Sequence, residues 1–251
     1  MNAKNGEILA MTDVPEFDLN NPFQLIPEFE ESLLETSKNK QDIVNQMWRN
    51  GCINDTYEPG STFKIITAAS AFEESVLGVE DKFFCPGYKV VEDRRIRCHK
   101  VKGHGAQNFR EGIMNSCNPV FIDVGLRLKP KKVYEYYEKF GLFKKTGIDI
   151  PGEANSIMHK IENIKAVEQA TMSFGQSIQI TPLQLLVAVS AIINGGDIVT
   201  PHFVTEILDN EYNSIKKISY QNERDVISKE TSDIMKDLLE DVVEKGTGNK
   251  A

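Results

Sequence analysis

The sequence predicts an α+β domain that contains more helix than strand. The best-marked helix follows Thr181, which can form a capping box with Gln184 while Pro182 takes the first helical position. A second long helix, Ser228–Glu244, is amphipathic. Strand signals are shorter, such as the turn pair Asn5-Gly6 ahead of an apolar run. Long helices combined with short hairpins are typical of the α+β class.

The composition limits the class of protein. The 251 residues are 40% hydrophobic and 26% charged, which suits one globular domain or two small ones. The net charge of -8 argues against nucleic acid binding, which requires a basic face. The longest apolar stretch, Leu183–Ile193, is interrupted by Gln184 and Ser190 and is shorter than the roughly 20 residues that span a bilayer. Neither a secretory signal nor a transmembrane segment is predicted.

The first third of the chain is predicted to contain a hairpin, a polar connection and one buried helix. Ala3–Met11 forms the hairpin, with Glu7–Met11 as its second strand. Asp13–Gln46 is polar and is expected to be loop with a short helix. Pro59-Gly60 then breaks the chain ahead of Ser61–Phe72, whose length and apolar content predict a largely buried helix.

The middle of the chain is predicted to form a small hairpin followed by two helices. The hairpin covers Phe83–Lys100, with Tyr88–Val91 and Arg95–Cys98 as its arms. Asn108–Asn115 and Pro130–Phe140 are the helices, and the second has its proline near the first turn.

Ser61 and Lys64 are the first candidates for chemistry. At this spacing on a helix the two side chains lie on the same face. A serine hydroxyl is a weak nucleophile until a neighbouring base takes its proton, and a lysine becomes such a base when burial and a positive dipole lower its pKa. The start of a helix supplies that dipole, together with backbone N–H groups that can receive an oxyanion. The pair is therefore a candidate nucleophile and base.

Ser116 and Asn118 are the second candidates. A hydroxyl beside Lys64 could relay a proton to a leaving amine, and a carboxamide can bind a peptide group of a substrate. The alternative without function is a helix that ends in small polar residues.

Neither pattern is specific by itself. The Ser-x-x-Lys spacing also occurs at 37–40 and 214–217, and the Ser-x-Asn spacing also occurs at 37–39. A capping serine with a solvated lysine explains a bare match. The context favours Ser61, because a Pro-Gly break precedes it and an apolar helix follows, whereas the other matches lie in polar, lysine-rich segments.

Three cysteines and a histidine form a candidate metal site. In chain order they are Cys85, Cys98, His104 and Cys117, with the spacing Cys-x12-Cys-x5-His-x12-Cys. Three thiolates and one imidazole would make a closed, structural zinc site with no open position for water. A Cys85–Cys98 disulfide and free buried thiols are the alternatives. His99 could replace the histidine ligand, and Asp81 or Asp93 could replace a cysteine.

Six segments, in their order along the chain, resemble the penicillin-binding protein family. They are Lys4–Met11, Tyr57–Lys64, Gly103–Gly105, Ser116–Pro119, Thr146–Ile148 and Phe174–Gln176. Tyr57–Lys64 is similar to the nucleophile segment of the monofunctional class B members, and the cysteine-rich segment is most similar to sporulation-type members of spore-forming Firmicutes. The resemblance covers the whole chain, so residues 1–251 are expected to be a partial transpeptidase domain with no second domain.

The resemblance implies a fold and a reaction. The fold is the serine β-lactamase-like α+β domain, with helices packed on an antiparallel sheet. Ser61 would attack the D-Ala-D-Ala bond of a peptidoglycan stem peptide. The acyl group would then pass to an amine on a neighbouring peptidoglycan strand. Lys64 would be the base, while Ser116 and Asn118 would handle the proton and the substrate amide. β-Lactam antibiotics would acylate the serine and stay bound, and catalysis would need no cofactor.

The resemblance also implies parts that lie outside this sequence. The Lys-Thr-Gly strand of the family is expected after Ala251, since Lys245–Gly248 resembles the loop that precedes it; the chain alone is therefore expected to be inactive. The domain is expected at the outer face of the bacterial cytoplasmic membrane, with its anchor absent from this chain and a glycosyltransferase as a candidate partner. Ser177 departs from the family pattern, which has glycine there.

Two other functions share the nucleophile motif. A serine β-lactamase needs a base for deacylation, and Glu168 offers the glutamate of the class A enzymes without its asparagine partner. A β-lactam sensor domain would bind the drug and signal through a multi-span membrane region. A catalytically dead homologue is disfavoured because Ser61 and Lys64 are intact. The transpeptidase is the favoured function.

Overall fold

The computed structural model describes residues 1–35 and 39–250. Their helices are α1 (Pro27–Glu35), α2 (Lys40–Met47), α3 (Gly51–Asn54), α4 (Lys64–Glu73), α5 (Phe109–Met114), α6 (Asn118–Arg127), α7 (Pro130–Lys139), α8 (Ala166–Met172), α9 (Pro182–Ile193) and α10 (Lys229–Glu244). Their strands are β1 (Lys82–Cys85), β2 (Tyr88–Val91), β3 (Arg94–Arg97), β4 (Gly105–Asn108), β5 (Glu206–Leu208) and β6 (Ser214–Lys217). Short 3-10 helices cover Gly60–Phe63 and Ile161–Asn163. None of the helices within these described ranges is long and apolar enough to cross a membrane.

The strands of the described residues form three separate two-stranded antiparallel ladders: β1 with β4, β2 with β3, and β5 with β6. The predicted α+β class is therefore confirmed, with the helices packed around small ladders. The β2–β3 hairpin matches the predicted arms, with Tyr88 opposite Arg97. The pairing of β1 with β4, which sets Cys85 opposite Gly105, was not predicted from the sequence.

The N-terminal segment differs from its prediction. Glu7 forms only an isolated bridge with His202, and the N–H of Ile8 donates to the carbonyl of His202 at 2.8 Å. The predicted strand Glu7–Met11 is therefore wrong, because the segment pairs with a distant part of the chain. The predicted single short helix within Asp13–Gln46 is replaced by α1 and α2.

The main core surrounds α4, which packs against α6, α9 and α10. The side chains of Phe63, Phe109 and Phe121 are fully buried there, and the Phe109 ring lies 5.7 Å from the Phe121 ring. The predicted capping box of α9 is present, because the Thr181 hydroxyl accepts from the N–H of Gln184 at 3.1 Å and the Gln184 side chain accepts in return. A smaller cluster beneath α2 contains Leu25, Ile43, Val44 and Met47.

Helix α10 contacts both α4, which begins at Lys64, and α5, which precedes the Ser116 segment. At its start, the carboxylate of Glu73 on α4 accepts from the Ser228 N–H at 2.9 Å and from the Thr231 hydroxyl at 2.6 Å. Further along, the guanidinium of Arg110 on α5 forms ion pairs with Asp237 at 2.6 Å and with Asp241. These contacts fix the position of α4 relative to α5.

Candidate active site

The candidate nucleophile lies on an exposed turn above a buried anchor. Ser61 is exposed within the 3-10 helix that leads into α4, while Phe63 two residues later is fully buried. The N–H of Gly60 donates to the carbonyl of Gly175 at 2.9 Å. Gly175 has φ +77, and a β-carbon there would overlap the Gly60 carbonyl oxygen and lie 2.7 Å from the Phe63 β-carbon. Gly175 therefore allows the close backbone contact that positions Ser61.

Lys64 occupies the centre of the site. Its Nζ lies 3.2 Å from the Ser61 Oγ, 3.0 Å from the Ser116 Oγ, 2.7 Å from the Ser116 carbonyl oxygen and 2.8 Å from the Asn118 Oδ1. The two carbonyl-type oxygens can only accept, so they take two N–H groups of the amine. The third position of the nitrogen faces both hydroxyls. A proton can therefore pass between either hydroxyl and this nitrogen.

Burial adjusts Lys64 for proton transfer. Its side chain is only 2% exposed, and this desolvation lowers the pKa of Lys64 to about 8, although the nearby Cys117 and Cys98 thiols oppose the shift. The Phe121 ring lies 5.4 Å from the ammonium nitrogen. A lysine with this pKa is neutral in a substantial fraction of molecules near pH 8, which a general base requires.

The Ser116 segment is shaped to face Lys64. Ser116 adopts the left-handed conformation at φ 48, which is unfavourable for a residue with a β-carbon. This conformation directs both its hydroxyl and its carbonyl toward Lys64. The Asn118 carboxamide accepts from Lys64 and donates through its Nδ2 to the Arg97 carbonyl at 3.0 Å, which defines its orientation. All four residues predicted to carry the chemistry thus lie together.

The other sequence matches do not form such a site. Ser214 and Lys217 lie on the exposed strand β6, where residues three apart point to opposite faces. Ser37 lies outside the described residues, and Asn39 caps α2 by accepting from the Asp42 N–H at 2.9 Å.

Two Lys-Thr-Gly-like sequences have different surroundings. Residues 145–147 spell the motif but lie in an irregular segment, where the Thr146 and Gly147 amides donate to Glu153 at 2.6 and 3.3 Å. In Lys245–Gly248, the Thr247 N–H donates to the Met114 carbonyl at 3.0 Å. Thr247 and Gly248 also line a cavity of about 200 Å³ that reaches Ser61, Lys64 and Ser116. Neither sequence lies on a strand of the described residues.

The departure at Ser177 has a structural basis. Ser177 has φ 61, a conformation that favours the glycine of the family pattern. Its N–H donates to Glu58 at 2.7 Å, and its hydroxyl lies 2.8 Å from the Thr171 hydroxyl. These two hydrogen bonds offset part of the backbone cost.

The predicted metal ligands converge beside the Ser116 segment. The ligand atoms of Cys85, Cys98, His104 and Cys117 all lie within 4.8 Å of one another. Thiolates bound to one tetrahedral zinc ion at about 2.3 Å stand roughly 3.8 Å apart, so a modest contraction would complete the site. A Cys₃His donor set is also a common one for structural zinc. The residues present therefore fit the metal.

The Cys85–Cys98 disulfide and the substitute ligands are less well supported by the geometry than the Cys₃His set, whereas free buried thiols agree with it. All four cysteines of the chain are free thiols, Cys52 among them. Asp81 pairs with Arg127, and Asp93 is exposed near Arg94. His99 has its Nδ1 3.9 Å from the Cys98 sulfur, whereas the His104 Nδ1 lies 3.7 Å from it.

An α+β fold in which an exposed serine is hydrogen-bonded to a buried lysine is typical of serine acyl-transfer domains. The family described as penicillin binding protein transpeptidase domain matches residues 1–251, and the chain belongs to this family. Stage V sporulation protein D of Bacillus subtilis (strain 168) is 42% identical over 253 residues, which cover 100% of this chain and 36% of that protein.

Two further comparisons agree. Peptidoglycan D,D-transpeptidase MrdA of Acinetobacter baumannii is 25% identical over 261 residues, covering 98% of this chain and 37% of that protein. A solved D,D-transpeptidase domain of a peptidoglycan glycosyltransferase from Eggerthella lenta has 26% identity and a TM-score of 0.85, covering 99% of this chain and 61% of that one. The chain thus spans little more than a third of the length of these two curated relatives.

Proposed function

We propose that this domain is the catalytic part of a peptidoglycan D,D-transpeptidase that forms a serine acyl-enzyme from D-Ala-D-Ala stem peptides. The observation that carries the proposal is the position of the Lys64 amine, within hydrogen-bonding distance of both the Ser61 and Ser116 hydroxyls. Membership of the family and the names of the relatives support the same substrate class. Residues 1–251 act in this proposal as one partial transpeptidase domain.

The acylation step follows from the contacts of Lys64. The neutral amine takes the Ser61 proton as Oγ attacks the carbonyl carbon of the penultimate D-Ala. The new C–O bond replaces the C–N bond to the terminal D-Ala. The proton then passes from Lys64 through the Ser116 hydroxyl to the departing nitrogen. D-Alanine therefore leaves with a free amine, and Lys64 is neutral again. Asn118 holds Lys64 through Oδ1 and is available to bind the substrate amide.

The second step reverses these roles. An amine of a neighbouring stem peptide attacks the ester carbonyl, a C–N bond forms and the C–O bond to Ser61 breaks. The amine loses one proton to Lys64, and the serine oxygen regains one. β-Lactams enter the same first step, but their leaving amine stays tethered to the acyl group, so the ester persists.

A β-lactamase or a β-lactam sensor would use the same nucleophile. The β-lactamase is disfavoured because the Glu168 carboxylate accepts from the Lys165 N–H at 3.1 Å and thereby caps α8. For the whole protein we propose action at the outer face of the cytoplasmic membrane, where stem peptides are exposed. A glycosyltransferase partner is consistent with the name of the Eggerthella lenta relative.

Labelling by a fluorescent penicillin tests the nucleophile in the full-length protein. Ser61 is expected to carry the adduct, and Ser61→Ala should abolish labelling because the attacking oxygen is removed. Ser214→Ala is the matched control, since it repeats the Ser-x-x-Lys spacing on an exposed strand, and it should label normally. An adduct mapped by mass spectrometry to any other serine contradicts the assignment.

We also propose a structural zinc ion held by Cys85, Cys98, His104 and Cys117. Because Cys117 lies between Ser116 and Asn118, the ion would fasten that segment without entering acyl transfer. Burial raises the pKa of the Cys117 thiol, so binding would release a proton from it.

Elemental analysis of protein purified without a histidine tag tests the zinc site. About one equivalent of zinc is expected, and Cys98→Ser should lose both the metal and thermal stability. Cys52→Ser is the control, because Cys52 lies outside the cluster, and it should keep both. A metal-free protein with a mass two daltons low indicates a disulfide and contradicts the proposal.

A further inference from the structure

The region around the cysteine cluster has a charge opposite to that of the chain. Residues 81–104 contain seven basic and three acidic residues, whereas the whole chain has a net charge of -8. A local excess of one sign attracts ligands of the other sign and raises their local concentration. Cations of this segment that have no acidic partner are therefore candidates for binding an anion.

Five of the seven cations of this region have no ion pair among the residues that the structure describes. Lys89 pairs with Asp123 at 2.6 Å, and Arg94 lies 3.7 Å from Asp93. Of the other five, Lys82 lies on β1 and the Arg95 guanidinium lies 3.7 Å from the centre of the Tyr88 ring. The remaining three are exposed and lie close together in sequence; they are Arg97, Lys100 and Lys102. We call these three residues the cationic rim.

Arg97 ends strand β3, and the two lysines of the rim lie on a tightly packed turn that follows it. The Gly103 N–H donates to the Lys100 carbonyl at 2.9 Å. A β-carbon at Gly103 would overlap the Cys85 carbonyl oxygen and lie 2.7 Å from the Gly87 nitrogen, so the turn is packed directly on the neighbouring backbone. Val101, at the tip, is 79% exposed between the two lysines. A turn held in this way loses little conformational freedom when a ligand binds.

The rim adjoins the candidate active site. The Asn118 side chain donates to the carbonyl of Arg97 at 3.0 Å, so the rim begins one hydrogen bond from the residue that holds Lys64. The backbone that carries the rim therefore lies beside the Asn118 and Lys64 side of the candidate site.

We propose that the cationic rim binds the terminal carboxylate of the acceptor stem peptide during transpeptidation. This inference rests on the proposed function. Every stem peptide ends in a carboxylate, which complements the unpaired cations, and alanine methyl groups complement the exposed Val101. The donor peptide occupies Ser61 as an ester when the acceptor arrives, so the acceptor needs a separate surface beside it. The rim supplies that surface and takes part in no bond change.

The test uses the full-length protein and a soluble acceptor peptide with a free side-chain amine. Lys100→Ala/Lys102→Ala is expected to raise the acceptor KM for transfer about five- to thirty-fold, as for the loss of two partly screened charge contacts. Replacing the terminal carboxylate of the acceptor by carboxamide should raise KM in the parent protein but add little in the variant. Lys216→Ala/Lys217→Ala removes two exposed lysines of β6 and should leave both KM values unchanged.

Labelling of Ser61 by penicillin, measured in parallel, separates the two proposals. Failure of the parent to label overturns the proposed function and this inference with it. If the parent labels normally, and the carboxamide raises the acceptor KM by the same factor in parent and variant, only the proposed role of the rim is overturned. An unchanged acceptor KM accompanied by lost binding to phosphatidylglycerol vesicles would assign the rim to the membrane surface and also overturn the inference.

Discussion

Lys64→Ala is expected to slow the acylation of Ser61 by penicillin about 1,000- to 10,000-fold, because general-base catalysis contributes on that order. The effect should be near the upper end, since within the described residues Lys64 Nζ is the only titratable group hydrogen-bonded to the Ser61 hydroxyl. The measurement is the second-order rate constant for acylation in the full-length protein. Lys217→Ala, from the exposed Ser-x-x-Lys match, is the control and should acylate at the parent rate.

The pH profile separates the loss of a base from the loss of a charge. Burial lowers the pKa of Lys64 from 10.5 to about 8, and in the proposed mechanism the active form is the neutral amine. The acylation rate of the parent should therefore rise with pH and level off above about 8. Lys64→Arg keeps the positive charge but cannot lose its proton near neutral pH, so it should be as slow as alanine and show no such rise. A flat profile in the parent would contradict the role of Lys64.

The helices could be predicted because their signals are local. The capping box at Thr181 and Gln184, and the cap at Ser228, lie within a few residues of the helix starts that they define. The same holds for α7, which begins at Pro130 as predicted. Helix α6 was missed because Asn118–Arg127 follows the Ser-x-Asn segment without a capping side chain.

The strand contacts could not be predicted in the same way, because their partners are distant in sequence. Glu7 pairs with His202, and the β1–β4 ladder joins segments on either side of the β2–β3 hairpin. An alternating or apolar run indicates a strand but does not identify its partner.

The candidate site was predictable only in part. The spacing of Ser61 and Lys64 placed them on one face, but the approach of Ser116 to Lys64 depended on the order of motifs in the family. The sequence contains no sign that Ser116 would adopt φ 48 and direct two oxygens toward the amine. Phe121, three residues after Asn118 on α6, follows the helical period and could have been found from it.

The contact between Gly175 and Gly60 is the clearest feature that only the structure could reveal. Gly175 belongs to the Phe174–Gln176 motif, to which the sequence assigned no role. Gly60 belongs to the turn that carries Ser61. Their backbones meet through the 2.9 Å hydrogen bond from the Gly60 N–H to the Gly175 carbonyl. This contact makes Gly175 a positioning residue for Ser61, and it leads to a sharp prediction.

Gly175→Ala is expected to lower the free energy of unfolding by about 2–5 kcal/mol, the sum of left-handed backbone strain and overpacking against Gly60 and Phe63. Each kcal/mol corresponds to a fall in Tm of about 2–4 °C for a domain of this size. Penicillin acylation should fall as well, because the added methyl group displaces the Gly60 carbonyl and Ser61 follows it. Gly105→Ala is the matched control: its φ of +76 imposes the same strain, but a β-carbon there meets nothing within 4 Å. Equal losses in the two variants would show that strain alone acts at Gly175, and that the contact does not position the nucleophile.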